Sequence, residues 1–391
     1  MDYRLLILAL GAFSIGTDSY VVAGILPQVA KSFSTSVAAA AQFVSVYSVS
    51  YAVFTPIMAT ITANWARRRV LLLGLLAFVG SNVLTATAPT FELALAGRAL
   101  AGFGGALFIP AASAVATALV SPERRGRALA IVLAGVSGAT ALGAPMGTLI
   151  AALGDWHTTL WFVAAFGALA GAGVFLLLPN MAAATRVTLR ERFAPLWDLR
   201  VTATLATTLL IMFGVFLVYT YMSVVFDRAT LGNGALLALL MSVWGIGATT
   251  GSLKAGSLTD RFGNRRTLNV AVTILAVDFA FLPWTSATFG SAAIALAVWG
   301  MCGWGLVVSQ QHRLVALSPG LAPLLLALNA SAIYLAIGAS GAVGALLLRS
   351  FDAHYLPLIG AALIAAGGLM GEVAYSLVRS IGQPRMTGLG R

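Results

Sequence analysis

The sequence predicts an all-α membrane protein: twelve transmembrane helices in two related six-helix halves. Three observations lead there. Of 391 residues, 60% are hydrophobic and only 9% are charged, against about 45–50% and about 25% in a soluble domain. The apolar residues fall into twelve runs, each near the about 20 residues that a helix needs to cross a bilayer. A basic ten-residue loop recurs half a chain length apart.

The spans are read in order. Residues 4–26 form one apolar run broken only by Asp18, too long for the core of a cleaved signal. Spans 2 and 3 follow at 38–63 and 70–88, separated by Arg67, Arg68 and Arg69. Span 4, 92–120, carries Arg98; span 5, 127–153, is rich in small residues; span 6 is 158–179. Residues 180–199 are the longest polar connection and read as a linker holding a short surface helix. Spans 7 to 12 are 200–226, 234–258, 266–286, 289–315, 321–348 and 354–378. The expected domains are therefore 1-179, a linker at 180-199, and 200-391.

Charge sets the orientation. With the N-terminus inside, 19 of the 23 Lys and Arg lie on the inner side, Lys31, Arg228 and Arg349 lie outside, and Arg98 lies within a span. Basic residues accumulate in cytoplasmic loops, so both termini are expected in the cytoplasm of a bacterial plasma (inner) membrane. The net charge of +11 then reports topology and not a nucleic-acid partner. The single cysteine, Cys302, excludes an internal disulfide. Three scattered histidines, His157, His312 and His354, leave no expected metal or cofactor site.

The recurring loop is TANWARRRVL at 62–71 and TDRFGNRRTL at 259–268, an offset of 197. Each copy follows the second span of its half, which marks an internal repeat. With Gly256, the second copy resembles the hallmark loop of the major facilitator superfamily, G-x-x-x-D-R-x-G-R-R, at Gly256, Asp260, Arg261, Gly263, Arg265 and Arg266. The resemblance implies that this loop, with Arg68 and Arg69 of the first copy, gates the conformational change, its carboxylate pairing across the seam between bundles. The first copy departs from the pattern, with Ala63, Asn64 and Ala66 where the acid, the first arginine and the glycine belong.

Two further motifs follow. Arg98-x-x-x-Gly102-x-Gly104 resembles the superfamily's span 4 motif. An arginine inside a bilayer costs about 2.5–3.5 kcal/mol on insertion scales and calls for a partner. Asp18 lies about eight residues from the outer end of span 1, roughly 12 Å, and Arg98 about six from that of span 4, roughly 9 Å. In that superfamily two pseudo-symmetric six-helix bundles surround a central cavity that spans 1 and 4 line, so the resemblance implies that Asp18 and Arg98 face one aqueous cavity and interact, with proton coupling as their role. In span 5, Gly138, Gly143, Pro145 and Gly147 resemble the motif of drug:proton antiporters of the arabinose-efflux and chloramphenicol-resistance type. Glycines four apart let a neighbouring helix approach closely, and Pro145 is expected to kink the helix.

Polar residues at depth usually face the interior or water, and aromatic walls with scattered amides suit a ligand cavity. Tyr20, Phe216, Tyr219, Trp299, Asn329 and Tyr334 are the expected substrate-cavity residues, suited to a flat, weakly polar organic molecule. Asp278 in mid-span 9 has no assigned role, and Glu372 is expected to reach water from span 12. No serine–histidine–acid set and no G-x-x-x-x-G-K-[ST] loop is present, so the chain is not read as an enzyme. The expected function is a monomeric secondary transporter exporting a small organic molecule in exchange for protons. The alternatives are a uniporter or proton symporter for a sugar or nucleoside, or a non-transporting receptor or subunit.

Overall fold

The computed structural model describes residues 2–181 and 188–382. Part of the expected linker, with Arg186, and the tail with Arg385 and Arg391 lie outside the described residues. Among the described residues, twelve helices are long and apolar enough to cross a membrane. In chain order they are α1 (Tyr3–Ser32), α2 (Val37–Asn64), α3 (Arg67–Thr87), α4 (Phe91–Ala118), α5 (Pro122–Leu153), α6 (Trp156–Leu177), α7 (Leu199–Thr220), α8 (Gly234–Phe262), α9 (Asn264–Thr285), α10 (Phe289–Leu317), α11 (Pro319–Leu347) and α12 (Ala353–Arg379). All twelve expected spans are present. Several run past the lipid-length window, since helix interiors buried among helices are not limited to it.

Polar residues start these helices because the first backbone N–H groups have no acceptor within the helix. Asp2 caps α1, Thr90 caps α4, Asp155 caps α6, Asp198 caps α7 and Asn233 caps α8. Asp352 caps the turn that opens α12. Four of the eight aspartates are thus used up as caps. Within the apolar stretches only Asp18 and Asp278 remain.

The packing repeats with a period of six helices. Pairs α3–α4, α2–α4, α3–α6, α1–α5 and α1–α6 of the first half recur as α9–α10, α8–α10, α9–α12, α7–α11 and α7–α12. The halves meet along α2–α11 and α5–α8, with α1 reaching across to α7 and α8. The short helix expected in the linker is Leu189–Phe193, started by a reciprocal Thr188–Glu191 cap. Its Arg192 donates to Thr60 Oγ1 at 2.9 Å and to the Ala59 carbonyl at 3.0 Å, docking it on the end of α2.

The two copies of the repeated loop are built differently. Gly263 turns the chain from α8 into α9 at φ +81° and ψ 149°, a region open to glycine alone. The first copy has Ala66 there and makes its turn with a short 3-10 segment, Thr62–Asn64, and two extended residues.

Contacts between the halves lie towards the face opposite the termini. A Cβ on Gly245 of α8 would stand 2.3 Å from the Thr140 carbonyl of α5, and one on Gly234 would stand 2.8 Å from Ala152. On the other seam, Gly338 and Gly341 of α11 press against Ser45 and Val49 of α2, and Tyr334 stacks on Tyr51 with ring centroids 3.8 Å apart. The termini-bearing ends of α5 and α8 part below Ser137 and Ser252, which line a crevice with Thr249 and Trp304. The molecule is closed at the far face and open towards the termini.

Candidate functional site

Asp18 and Arg98 form a direct ion pair in the first half. Arg98 Nη1 donates to Asp18 Oδ1 at 2.7 Å, and Nε donates to the Phe43 carbonyl of α2 at 3.3 Å. The guanidinium carbon also lies 4.8 Å from the centre of the Tyr47 ring. The pair departs from expectation in one respect: it does not face an aqueous cavity. Asp18 is 0% and Arg98 1% exposed, because α2 and α4 close over it while the far face is sealed. Asp18 Oδ2 has no hydrogen-bond partner among the described residues. Beside the pair, Ser19 Oγ and Tyr47 Oη lie 2.7 Å apart.

The span 5 motif sits behind α1. A Cβ on Gly143 would fall 2.0 Å from Thr17 Oγ1, and one on Gly147 would fall 2.5 Å from Val21. These two glycines let α1 and α5 touch along the turn that carries Asp18. Gly138 is less crowded, with the Phe13 ring 3.5 Å from its Cβ position. Pro145 has no N–H and its ring would strike the carbonyl of Ala141. The helix accommodates it with a wide π turn over Ala139–Gly143, closed by the Ala144 N–H on the Ala139 carbonyl. This turn is also where Gly245 of the second half lands.

Across the seam, four of the six expected cavity residues come together. Tyr20 of α1 packs against Phe216 and Tyr219 of α7 at centroid distances of 6.4 and 6.0 Å. Tyr219 Oη donates to the Tyr20 carbonyl at 3.1 Å. Trp299 of α10 stands 6.3 Å from Tyr219. Two further residues complete the group: Trp304 of α10, an aromatic of span 10, lies 6.1 Å from Tyr20, and Trp244 of α8, which sequence reasoning left out, lies 6.2 Å from it. The repeat offers a signal for Trp244, since 197 positions separate it from Tyr47, the residue under Arg98.

The other two expected cavity residues lie elsewhere. Tyr334 is on the α2–α11 seam against Tyr51 and Tyr47. Asn329 is wholly buried in a polar trio: its Oδ1 accepts from Thr208 Oγ1 at 2.9 Å, and Thr208 Oγ1 accepts from Gln310 Nε2 at 3.3 Å. Helices α7, α10 and α11 converge there, so the amide ties one bundle together and does not line the aromatic group.

The expected gate is apart. Among the described residues Asp260 makes no ion pair, and Gly256 has no neighbour within 4 Å of its Cβ position. The expected carboxylate pairing across the seam is therefore absent with this face open. Arg265 instead pairs with Glu372 of α12, Nε to Oε1 at 3.0 Å, and Asn269 donates to the same carboxylate at 2.6 Å. Glu372 is thus held by its neighbours and does not simply reach for water. Arg68 binds the Phe175 carbonyl of α6, and Arg261 covers the Phe262 ring. Neither Arg69 nor Arg266 forms an ion pair among the described residues. Asp278 Oδ2 is buried without a hydrogen-bond partner among the described residues, and Asp278 forms no ion pair among them.

Comparison with known proteins adds the family. The Major Facilitator Superfamily model matches residues 8–341. The chain is 30% identical over 369 residues to the inner membrane transport protein YdhP of Escherichia coli (strain K12), covering 94% of each. It is 27% identical to the MFS-type transporter YbcL of Bacillus subtilis (strain 168), over 98% of this chain and 97% of that one. It is 31% identical to a chloramphenicol resistance protein of Streptomyces lividans, over 67% and 68%. Among solved structures, the nucleoside transporter NupG superposes with a TM-score of 0.73 at 15% identity, covering 95% of this chain and 99% of that one. These likenesses agree with the twelve-helix fold and the repeated loop, and the chain belongs to the Major Facilitator Superfamily of membrane transporters.

Proposed function

We propose that this protein is a secondary active transporter that exports a small organic molecule in exchange for protons by alternating access. The observation that carries the reading is the Asp18–Arg98 pair, a carboxylate and a cation locked together at 2.7 Å inside the first bundle. Charges inside a bilayer are costly and tend to mark ion pathways. A proton arriving on Asp18 removes half of the pair and frees Arg98, which alters how α1 packs on α4 and α2. The glycine-lined contact of α1 with α5 passes that change to the α5–α8 seam.

On this reading the moving bodies are 1–179 and 200–391, joined by 180–199. The distribution of Lys and Arg supports termini in the cytoplasm of a bacterial plasma membrane, and the chain works as a monomer. The open crevice is then the cytoplasmic entrance. Asp260, Arg261, Arg265, Arg266, Arg68 and Arg69 gather across the seam when this entrance shuts, with Gly256 and Gly263 giving close approach and the turn. Tyr20, Phe216, Tyr219 and Trp299 receive the substrate. The similarity to a chloramphenicol resistance protein makes chloramphenicol the first compound to try.

The test is chloramphenicol-driven proton movement in vesicles reconstituted with wild type and with Asp18→Asn, each checked for folding by size-exclusion profile. Wild type should move protons and the variant should not. Full proton-coupled transport by Asp18→Asn would remove Asp18 from the mechanism.

A further inference from the structure

On the face opposite the termini, the stretch that joins α7 to α8 brings the second half against α1. Its short helical segment Met222–Val225 packs on α1, and Met222, Val225 and Phe226 are fully buried. The next two side chains tie this stretch to its own half. Arg228 Nη2 donates to the Pro283 carbonyl of α9 at 2.8 Å and to Ser286 Oγ at 3.3 Å. Asp227 Oδ1 lies 2.7 Å from Nε2 of His354, in the turn that opens α12. The other ring nitrogen, Nδ1, bonds Asp352 Oδ1, which also accepts the His354 backbone N–H at 2.8 Å.

His354 thus stands between two carboxylates, with its side chain 19% exposed. An ionised carboxylate only accepts, and a neutral imidazole has one N–H to give. Both ring bonds exist together only in the imidazolium. Asp352 is held below the usual carboxylate range, first by the His354 backbone N–H and then by the ring, so it does not take up the proton in place of the ring. When the ring gives its proton to water, the N–H that remains stays with Asp352, two residues away and already fixed as the cap. Nε2 then turns a lone pair on Asp227, and the long-range bond opens. Arg228 is the other charge beside this cluster, and α9 adds only the Pro283 carbonyl and the Ser286 hydroxyl. Lys31, Arg349 and Tyr355 are exposed on this face, and none of them bonds the ring among the described residues. His157, on the same face of the first half, bonds only Asp155 of its own turn.

We propose that His354 is a pH-sensitive clasp. Protonated, it fastens the stretch 221–233 to the start of α12 and steadies the surface that the second half offers to α1. Deprotonated, it leaves that stretch held by Arg228 alone. With the termini in the cytoplasm, as proposed above, this is the outer face and the clasp responds to external pH. The chemistry of the clasp itself does not depend on that orientation or on Asp18.

The test is a nitroxide at Leu231→Cys, 86% exposed, in the full-length protein with Cys302→Ser, followed by electron resonance line shape in detergent. Its mobile population should rise about two- to fivefold between about pH 5 and pH 8, the range in which histidine changes charge and the worth of a partly exposed ion pair. Asp227→Asn supplies an amide that donates to a neutral Nε2 and accepts from a protonated one, so there the label should stay held across the range. His354→Phe keeps a ring without nitrogens and should leave the label mobile throughout. Mobility that ignores pH in the parent, or a pH response that persists in Asp227→Asn or His354→Phe, would overturn the clasp. The same titration in Asp18→Asn separates it from proton coupling. The response should survive there, and its loss would assign it to Asp18 and overturn the clasp.

Discussion

Gly245 is the position where closure of the far face can be tested without knowing the substrate. A Cβ there would meet the Thr140 carbonyl at 2.3 Å and Ala141 Cα at 2.6 Å. Both are backbone atoms of the π turn on α5, which no rotamer change can move aside. Gly245→Ala must push α5 and α8 apart, and overpacking of this kind costs about 1–3 kcal/mol. The contact exists only while the halves meet at this face, so the cost falls on the closed state alone. It corresponds to a shift of about 5- to 150-fold towards far-face opening. Spin labels at Leu153→Cys and Leu239→Cys, 81% and 55% exposed, in a Cys302→Ser background would report the separation of the two helices by pulsed electron resonance. Gly245→Ala should enlarge the long-distance population. Gly290→Ala, with nothing within 4 Å, should not. An unchanged distance distribution in Gly245→Ala would refute the claim that this contact holds the far face shut.

Three more predictions concern single sites. Gly263→Ala forces a side chain into φ +81°, so it should cost about 1–3 kcal/mol and lower the melting temperature, whereas Gly290→Ala should leave it in place. Asp198 is held below the usual carboxylate range, first by its side-chain bond to Arg200 and then by backbone N–H groups at the start of α7. A lowered acid contributes stability that is present above its unfolded value of about 3.9 and is lost as pH falls through the folded one. Asp198→Ala should therefore melt below wild type near neutral pH, and the gap should close under strong acid. Asp18→Asn leaves Arg98 buried as an uncompensated charge, while Arg98→Met leaves a carboxyl that can take up a proton. Breaking a buried pair costs about 3–5 kcal/mol, so thermal unfolding should find Asp18→Asn the less stable of the two, and the opposite order would contradict this.

Much of the architecture was legible because lipid imposes length on every span. The pairing of Asp18 with Arg98 was legible from their similar depth together with the family resemblance, and the turn at Gly263 from the loop motif. What escaped depends on which face of a helix meets which neighbour. Asn329 and Trp299 look equally promising in sequence, but Asn329 turns towards Thr208 inside its own bundle while Trp299 turns towards the seam. Trp244 was hidden among the apolar residues of α8 until the repeat set it opposite Tyr47. The sealed ion pair and the unpaired Asp260 follow from which face is closed, and the same apolar stripes pack in either arrangement.

Helix α1 joins the two sites. Asp18 and Tyr20 are two residues apart, which turns their side chains about 200° around the axis. One faces Arg98 in the first half, and the other faces Phe216 and Trp244 in the second. If a proton on Asp18 shifts α1, it also shifts the Tyr20 side of the aromatic group, and linkage makes the effect on a ligand held there reciprocal. The affinity for chloramphenicol should then vary with pH in wild type. Asp18→Asn, which holds the position permanently uncharged, should bind with one affinity at every pH, equal to that of the protonated wild type. A wild-type affinity that does not change with pH would mean that α1 carries the two groups without coupling them. A pH dependence that survives Asp18→Asn would place the responsible proton on another group, and Asp278, the other acid within the apolar stretches, would be the next to substitute.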